Sequence, residues 1–296
     1  MEHSDISQRF VINHSGIRGQ WTLLDNSFQE VLAKHDYPME IQALLGEMMA
    51  AATLLIATLK FEGSMIIQAR GEGPVSLATV ECTHNHQLRA VARWQGQTQG
   101  MSFTELLQKS TLAITITPAK GERYQGVVPL EGANLSECLQ LYFQMSEQLK
   151  TQIQLFHGNN RCGGLLLQVL PDSTDTQTDP ELRANEWERV TALAATLTAE
   201  ELLNLDCPTL LHRLFHEEEV ALFPATQVSF ECSCSRDKTA DTLVQFGQHE
   251  LEQLLKERGQ VEVTCQYCNA LYRFDSVDIA MLFHGQGGGS DSNQSH

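Results

Sequence analysis

Four cysteines near the carboxyl-terminal end of the chain occur as two closely spaced pairs. Cys232 and Cys234 form the first pair, Cys265 and Cys268 form the second, and thirty residues separate the two pairs. A chain reversal that brings two such pairs together places four thiolates in a tetrahedron, the geometry of a closed structural zinc site. We therefore predict that these four cysteines bind one Zn²⁺ ion per chain.

The spacing leaves two interpretations of this site open. Zinc keeps its cysteine ligands deprotonated, and the thiolate is the form that oxidants attack, so the same sulfurs can be converted into disulfides. A static zinc knuckle that only stabilises a non-catalytic protein-interaction module has the same spacing. The Cys-x-Cys half makes the pattern specific, but it does not by itself indicate oxidation chemistry.

The remaining cysteines are not predicted to form a second metal site. Cys82, His84 and His86 alternate, but a turn is predicted at Thr83 and Asn85 and no fourth ligand is in register, so we expect surface residues there. Three further cysteines are isolated in sequence, and each is expected to be a small buried side chain and not a nucleophile: Cys138, Cys162 and Cys207.

Catalytic motifs do not stand out in the sequence. Gly71-x-Gly73 lacks the third glycine of a dinucleotide-binding loop, and no phosphate-binding loop motif or nucleophile-base constellation is suggested. Cys265-x-x-Cys268 does not follow the strand-to-helix context of thiol oxidoreductases. The sequence therefore does not predict an enzyme.

Composition and charge restrict the class of protein. With 296 residues, 42% of them hydrophobic, the chain can bury one substantial core and carry a smaller appended unit. A formal net charge of −17 argues against nucleic-acid binding.

The polar segment Met1 to Arg9 does not resemble a secretory leader, so we expect a cytoplasmic protein. The apolar segment 41–59 contains Glu47 and lacks flanking basic clusters, which favours a buried helix over a membrane span.

The pattern from Phe10 to Pro171 mixes strands and helices without a regular alternation. It predicts an α+β fold, with an N-terminal core domain of mixed antiparallel sheet and helices over residues 1–178. The predicted strands are Met65–Arg70, Val75–Cys82, Gln87–Trp94, Leu112–Thr117, Gln125–Leu130 and Gly164–Leu170, and the predicted helices are Ser27–Lys34, Glu40–Lys60 and Ser136–Lys150.

An acidic helical linker, residues 179–230, is predicted to follow the core. Pro180 fits the first position of a helix, and Thr198-x-x-Glu201 fits a capping box at a second helix start. Because short isolated helices are marginal in water, we expect the linker to be ordered by packing of one narrow apolar face. That face comprises Trp187, Val190, Ala194 and Leu197.

A small terminal unit, residues 231–284, carries the cysteine pairs. We predict helices over Thr239–Phe246 and Gln248–Arg258, and a hairpin over Gln260–Phe274 whose turn holds the second pair. Its few large apolar side chains make a weak core, so zinc is expected to supply the folding energy and the unit to melt without it. Residues 285–296 are rich in glycine and serine and are predicted to be a disordered tail.

Motifs spread along nearly the whole chain match one known family. The most specific are Cys232-x-Cys234-Ser235-Arg236 and Cys265-x-x-Cys268-Asn269-x-x-Tyr272-x-Phe274. Further matching motifs are Gly16-Ile-Arg18-Gly19, Leu44-Leu45-Gly46-Glu47, Leu59-Lys60-x-x-Gly63, Gly71-x-Gly73-Pro74, Gly163-Gly164-Leu165-x-x-Gln168 and Leu211-x-Arg213-Leu214-Phe215. With these motifs the chain resembles the redox-regulated 33 kDa heat-shock chaperone family, heat shock protein 33.

The resemblance implies an ATP-independent holdase that binds unfolded or partly folded client proteins. In the family, zinc keeps the reduced protein inactive; oxidation forms disulfides, zinc leaves, the linker unfolds, and active members are homodimers. Carried over to this chain, the resemblance implies the disulfides Cys232–Cys234 and Cys265–Cys268. Two surfaces remain candidates for client binding. One is the sheet of the first domain, and the other is formed by the linker residues Trp187, Val190, Leu193 and Leu197.

Overall fold

The computed structural model describes residues 4–170 and 180–284. The chain divides between Glu231 and Cys232 into two compact units. Their mixed sheets and helices confirm the predicted α+β class. The predicted core boundary at residue 178 and the predicted disordered tail, 285–296, lie outside the described residues.

Two twisted sheets form the framework of the first unit. Its described strands are β1 (Ile6–Ile12), β2 (Ile17–Leu24), β3 (Gly63–Arg70), β4 (Val75–Thr83), β5 (Gln87–Trp94), β6 (Thr111–Pro118), β7 (Tyr124–Pro129), β8 (Thr151–Gly158), β9 (Arg161–Val169), β10 (Val220–Leu222), β11 (Thr226–Gln227) and β12 (Ser229–Phe230). Sheet 1 has the order β10-β1-β2-β9-β8, and β11 also pairs with β1. Sheet 2 has the order β12-β5-β4-β3-β6-β7, in which β12 runs parallel to β5 and the other pairings are antiparallel.

One close approach in sheet 1 requires a glycine. Phe10 on β1 lies opposite Gly19 on β2. A Cβ atom at position 19 would lie 2.0 Å from the Phe10 ring, so a larger residue has no room there. The ring itself is completely buried, and it helps to form the surface on which the linker packs.

A long apolar helix packs against both sheets. Helix α1 spans Asn26–Leu32, and the long helix, α2, spans Met39–Ile56. Helix α2 contacts strands of sheet 1 and of sheet 2. It is long and apolar enough to cross a membrane by length and composition, but 72% of that stretch is buried inside the protein. It is therefore the predicted buried central helix. Two shorter elements follow it: α3 (Phe103–Leu107) and α4 (Leu135–Tyr142), which continues into a π-helical turn, Phe143–Glu147.

The described part of the linker contains three helices where the sequence suggested one helical stretch with a second start. At that second start the capping box is present: the Glu201 amide donates to Thr198 Oγ, and the Thr198 amide donates to the Glu201 carboxylate. The apolar sides of the helices pack against sheet 1 in a buried cluster that includes Val190, Phe10 and Trp21. The three helices are α5 (Pro180–Ala194), α6 (Ala199–Asn204) and α7 (Cys207–Phe215).

The second unit is small and has few buried side chains. Its elements are α8 (Arg236–Val244), α9 (Gln248–Arg258), β13 (Val261–Thr264), β14 (Leu271–Phe274) and α10 (Ser276–His284). The predicted hairpin and the first two helices are observed, and α9 has the predicted bounds, whereas α10 was not predicted. The buried apolar cluster consists of Leu243, Leu251, Val261, Phe274 and Ile279. A core of this size agrees with the expectation that a metal supplies part of the folding energy.

Candidate metal centre

The four predicted ligands lie together in the second unit. The Sγ atoms of Cys232 and Cys265 are 3.7 Å apart, and those of Cys234 and Cys268 are 3.4 Å apart. All four sulfur atoms lie within 4.8 Å of one another. A tetrahedron with Zn–S bonds of about 2.3 Å has sulfurs about 3.8 Å apart. Donor type, number and spacing therefore fit a metal ion bound by four thiolates.

The first cysteine pair lies in the short segment between β12 and α8. Ser235, directly after Cys234, is the N-cap of α8, and its Oγ accepts a hydrogen bond from the Lys238 amide at 3.1 Å. The Lys238 ammonium donates to the carbonyl of Ser233 at 2.8 Å. These bonds fix the backbone on both sides of the Cys234 sulfur.

The second cysteine pair occupies the turn of the β13–β14 hairpin. The Asn269 amide donates to the Cys265 carbonyl at 2.8 Å, and the Cys265 amide donates to the Ala270 carbonyl at 2.9 Å. Asn269 has a φ of 61°, in the left-handed region that asparagine tolerates better than most residues. The Ala270 amide donates to the Cys268 sulfur. The turn thus directs both sulfurs to one side of the hairpin.

Tyr272 adds a hydrogen bond to this site that we did not predict, although the residue is part of the motif around the second pair. Its hydroxyl donates to Cys234 Sγ at 3.1 Å. Burial acts to raise the pKa of the Cys234 thiol, but hydrogen bonds from Tyr272 and the other thiols lower that pKa to about 7. Burial and the neighbouring sulfurs raise the pKa of Cys268 to about 12, and the bond to Cys234 raises the pKa of Tyr272 to about 12. The cluster therefore favours a thiolate at Cys234.

This arrangement permits two kinds of chemistry. Four thiolates at these distances can bind one metal ion, and the same proximity allows two-electron oxidation to disulfides, whose S–S bond is about 2.05 Å long. The two sulfur-sulfur distances given above, 3.7 and 3.4 Å, join cysteines of different pairs, and both are far longer than a disulfide bond. The disulfides implied by the family resemblance therefore require rotation of the side chains.

The other four cysteines lie apart from the site and are all buried. This confirms the prediction for Cys138, Cys162 and Cys207. Burial raises the pKa of each of these thiols, that of Cys207 to about 12. These thiols are therefore protonated at neutral pH and poorly reactive.

The prediction of surface residues at Cys82 and His86 is wrong. Strand β4 continues to Thr83, so Cys82 faces the core and is completely buried, and burial raises the pKa of its thiol. His86 is buried beside β12, and neither of its ring nitrogens has a hydrogen-bond partner within the described residues. Burial lowers the pKa of this imidazole. Only His84 of the three is exposed.

The predicted client-binding residues of the linker are covered in this structure. Val190 is fully buried and Leu197 is 5% exposed, while Trp187 and Leu193 are partly buried. All four belong to, or pack against, the cluster between the linker helices and sheet 1. The apolar face predicted from the sequence therefore packs on the first unit's own sheet.

Comparison with known proteins gives the family. The family model described as Hsp33 protein matches residues 5–275 of the chain. The chain belongs to the Hsp33 family. It is 49% identical to the 33 kDa chaperonin of Pseudomonas aeruginosa strain LESB58, with all of both chains covered. It is 48% identical to the 33 kDa chaperonin of Pseudomonas savastanoi pv. phaseolicola, with 99% of this chain and 98% of the relative covered.

A solved structure has the same fold. The crystal structure of the Hsp33 homologue of Thermotoga maritima matches with a TM-score of 0.79 at 18% identity, covering 95% of this chain and 99% of that one. At this level of identity the likeness concerns the fold. Membership of the Hsp33 family supports a chaperone function, and chaperones are generally not enzymes. The clustered cysteines are compatible with a zinc site in an Hsp33 protein.

Proposed function

We propose that this protein is a cytoplasmic, ATP-independent holdase that is inactive when reduced and zinc-bound and that oxidation activates. The observation that carries the proposal is the convergence of four cysteine sulfurs within 4.8 Å in a member of a chaperone family. When bound, zinc keeps the four sulfurs as thiolates and joins the two cysteine pairs. We assign the core to residues 1–178, the linker to 179–230 and the redox unit to 231–284.

The proposed switch is the oxidation of these thiolates. A peroxide accepts two electrons from two thiolates and, with two protons, yields two waters, while one S–S bond forms. We assign the bonds to Cys232–Cys234 and Cys265–Cys268, following the family resemblance. Both pairings are local in sequence, so neither requires a long loop to close. The oxidised chain has lost its four thiolate ligands and no longer retains zinc.

We propose that activation then exposes apolar surface. The second unit has a small core and loses order without zinc. The linker detaches from sheet 1 and frees the candidate client-binding residues Trp187, Val190, Leu193 and Leu197, which pack in one cluster with that sheet. A net charge of −17 helps to keep the opened protein soluble, and the active form is proposed to be a homodimer.

A combined measurement tests this function. Zinc content, free thiols and suppression of aggregation of a heat-denatured enzyme are determined before and after treatment with peroxide at mildly raised temperature. We expect release of about one zinc per chain, loss of the thiols of one four-cysteine site, and a gain in suppression. Cys138→Ser, which removes a buried thiol outside the site, should behave like the wild type. Release of zinc without any gain in suppression would refute the proposal, and zinc retained under the same oxidant would favour the static interaction module.

A further inference from the structure

The segment that directly precedes the first cysteine pair is bound as an extended strand at the edge of sheet 2. Strand β12 pairs in parallel with β5. The Ser229 amide donates to the His86 carbonyl at 3.1 Å, and the Glu231 amide donates to the Leu88 carbonyl at 2.9 Å. The Glu231 carboxylate also accepts from the side-chain amide of Gln87. Apart from this last one, the hydrogen bonds to β5 come from the main chain of the segment, which any extended peptide offers.

Alternate side chains of the segment pack beside β5 and α1, and we call the surface that they cover the groove. Val228 is 2% exposed, Ser229 is exposed and Phe230 is partly buried. Val228 belongs to the main core cluster, together with Phe28 and Val31 of α1, and Phe230 packs against that cluster. Helix α1 contacts both β12 and β5, so it forms the second wall of the groove. The groove therefore accepts an apolar side chain and, two positions later, an aromatic one.

A lysine at the edge of the groove favours an aromatic side chain at the position of Phe230. The Lys34 ammonium lies 5.0 Å from the centroid of the Phe230 ring, a distance at which a cation–π interaction is favourable. Only Glu231 separates Phe230 from Cys232 in the chain. The occupant of the groove is thus one residue away from the first cysteine of the proposed switch.

We propose that this groove binds extended client segments of the pattern apolar, any residue, aromatic, and that Val228-Ser229-Phe230 occupies it as an internal ligand in the reduced state. Unfolded chains present such segments, because the aromatic side chains that a native fold buries are then exposed. The inference rests on the proposed holdase function and names a part of its client-binding surface. It predicts that weakening the internal ligand opens the groove without oxidation.

Peptide binding to the full-length, reduced, zinc-loaded protein tests the groove. The labelled probe is a fluorescein-tagged peptide with the sequence of residues 225–231. Phe230→Ser should bind it about 10-fold more tightly than the wild type, because a weakened internal ligand leaves the groove open more often. Phe223→Ser alters an aromatic residue outside residues 225–231 that is 38% exposed and whose amide donates to the Arg9 carbonyl of β1, and it should bind the peptide as the wild type does. A peptide with serine in place of the valine and phenylalanine should not bind.

Photochemical cross-linking locates the client-binding site in a protein whose residues 225–231 are unchanged. The photoreactive residue p-benzoylphenylalanine is placed at Lys34 or, as a control, at Glu30, which is exposed on α1. After oxidation, a heat-denatured client should be captured from position 34 and not from position 30. The proposed groove is refuted if the two serine variants bind the peptide with equal affinity. It is also refuted if the client is captured equally at positions 34 and 30. If the protein suppresses aggregation but gives neither expected result, the groove is refuted and the holdase function is not. If the peptide binds but aggregation is not suppressed, the holdase function is refuted and the groove is not.

Discussion

The hydroxyl of Tyr272 donates a hydrogen bond to the sulfur of Cys234 at 3.1 Å, across 38 positions of the chain. Tyr272 lies on β14, whereas Cys234 precedes α8, so the bond forms only when the hairpin and the first cysteine pair are folded together. Partners of metal ligands orient those ligands and tune their basicity. At the proposed zinc site, this bond would therefore couple zinc affinity to the folding of the hairpin.

Removal of this bond should weaken zinc binding. We expect Tyr272→Phe to lower zinc affinity by about 10-fold, the lower end of the effect of removing a partner of a metal ligand. Competition with a chromogenic chelator under reducing conditions measures the change. Tyr124→Phe removes a hydroxyl from a partly exposed tyrosine of the first unit and serves as the control. An affinity equal to that of the control would show that the bond does not support the site.

Removal of zinc should melt the second unit and leave the first one folded. A chelator combined with a reductant removes the metal without forming disulfides. We then expect the small apolar cluster around Leu243 and Leu251 to be insufficient to keep the second unit folded. Amide hydrogen exchange should become fast in α8 and α9, while the amides of β3 and β4 keep their protection. Persistent protection in α9 after removal of zinc would contradict the expected role of the metal.

A charge in the buried face of the linker should activate the protein without oxidant. Val190 on α5 is completely buried, so the carboxylate of Val190→Asp has no solvent unless the helix detaches from sheet 1. We expect increased binding of a hydrophobic dye and suppression of aggregation under reducing conditions. Ala192→Asp places the same charge on the exposed side of α5 and should leave both readouts unchanged. Equal behaviour of the two variants would show that release of the linker does not control activity.

The buried thiol of Cys207 should resist alkylation in the folded protein. Burial raises its pKa to about 12. At pH 8 about one Cys207 in 10⁴ is then a thiolate, against about a quarter of an exposed cysteine with a pKa of about 8.5. Because the raised pKa moves ionisation to higher pH, the rate of modification by iodoacetamide should increase about tenfold from pH 8 to pH 9. Mass spectrometry of the native and the urea-unfolded protein measures both rates; equal rates at pH 8 would contradict the burial of this thiol.

Strands bounded by glycine or proline turns were predicted from the sequence, whereas β1, β2, β8 and the very short strands were not. β3, β4, β5, β6 and β7 agree with their predicted spans within two residues, because turn residues bound them, and the burial of side chains also alternates in β3. β2 is buried along almost its whole length and has no such alternation, so it gives no period-2 signal. The strands of two or three residues, β10, β11 and β12, depend on pairing with β1 and β5 and have no pattern of their own.

The convergence of the four cysteines was predictable, but their contacts were not. Spacing alone predicted that Cys232, Cys234, Cys265 and Cys268 would lie together, because a four-thiolate site constrains the sequence directly. The role of Tyr272 depends on the register of the hairpin, in which it lies opposite Val263. Such a register depends on tertiary structure and is not contained in the spacing of the cysteines.

A metal ion bound by both cysteine pairs would close a ring of thirty residues that contains α8, α9 and β13. Closing a ring of this length restricts the unfolded chain and stabilises the folded one by about 3 to 4 kcal/mol in the chain-entropy relation. In the proposed switch, disulfides within each pair close only tiny rings, so the change from metal to disulfide returns most of this configurational freedom to the thirty residues. On this proposal, entropy favours the open form after oxidation, and the redox state of four sulfurs controls the order of a segment several times their size.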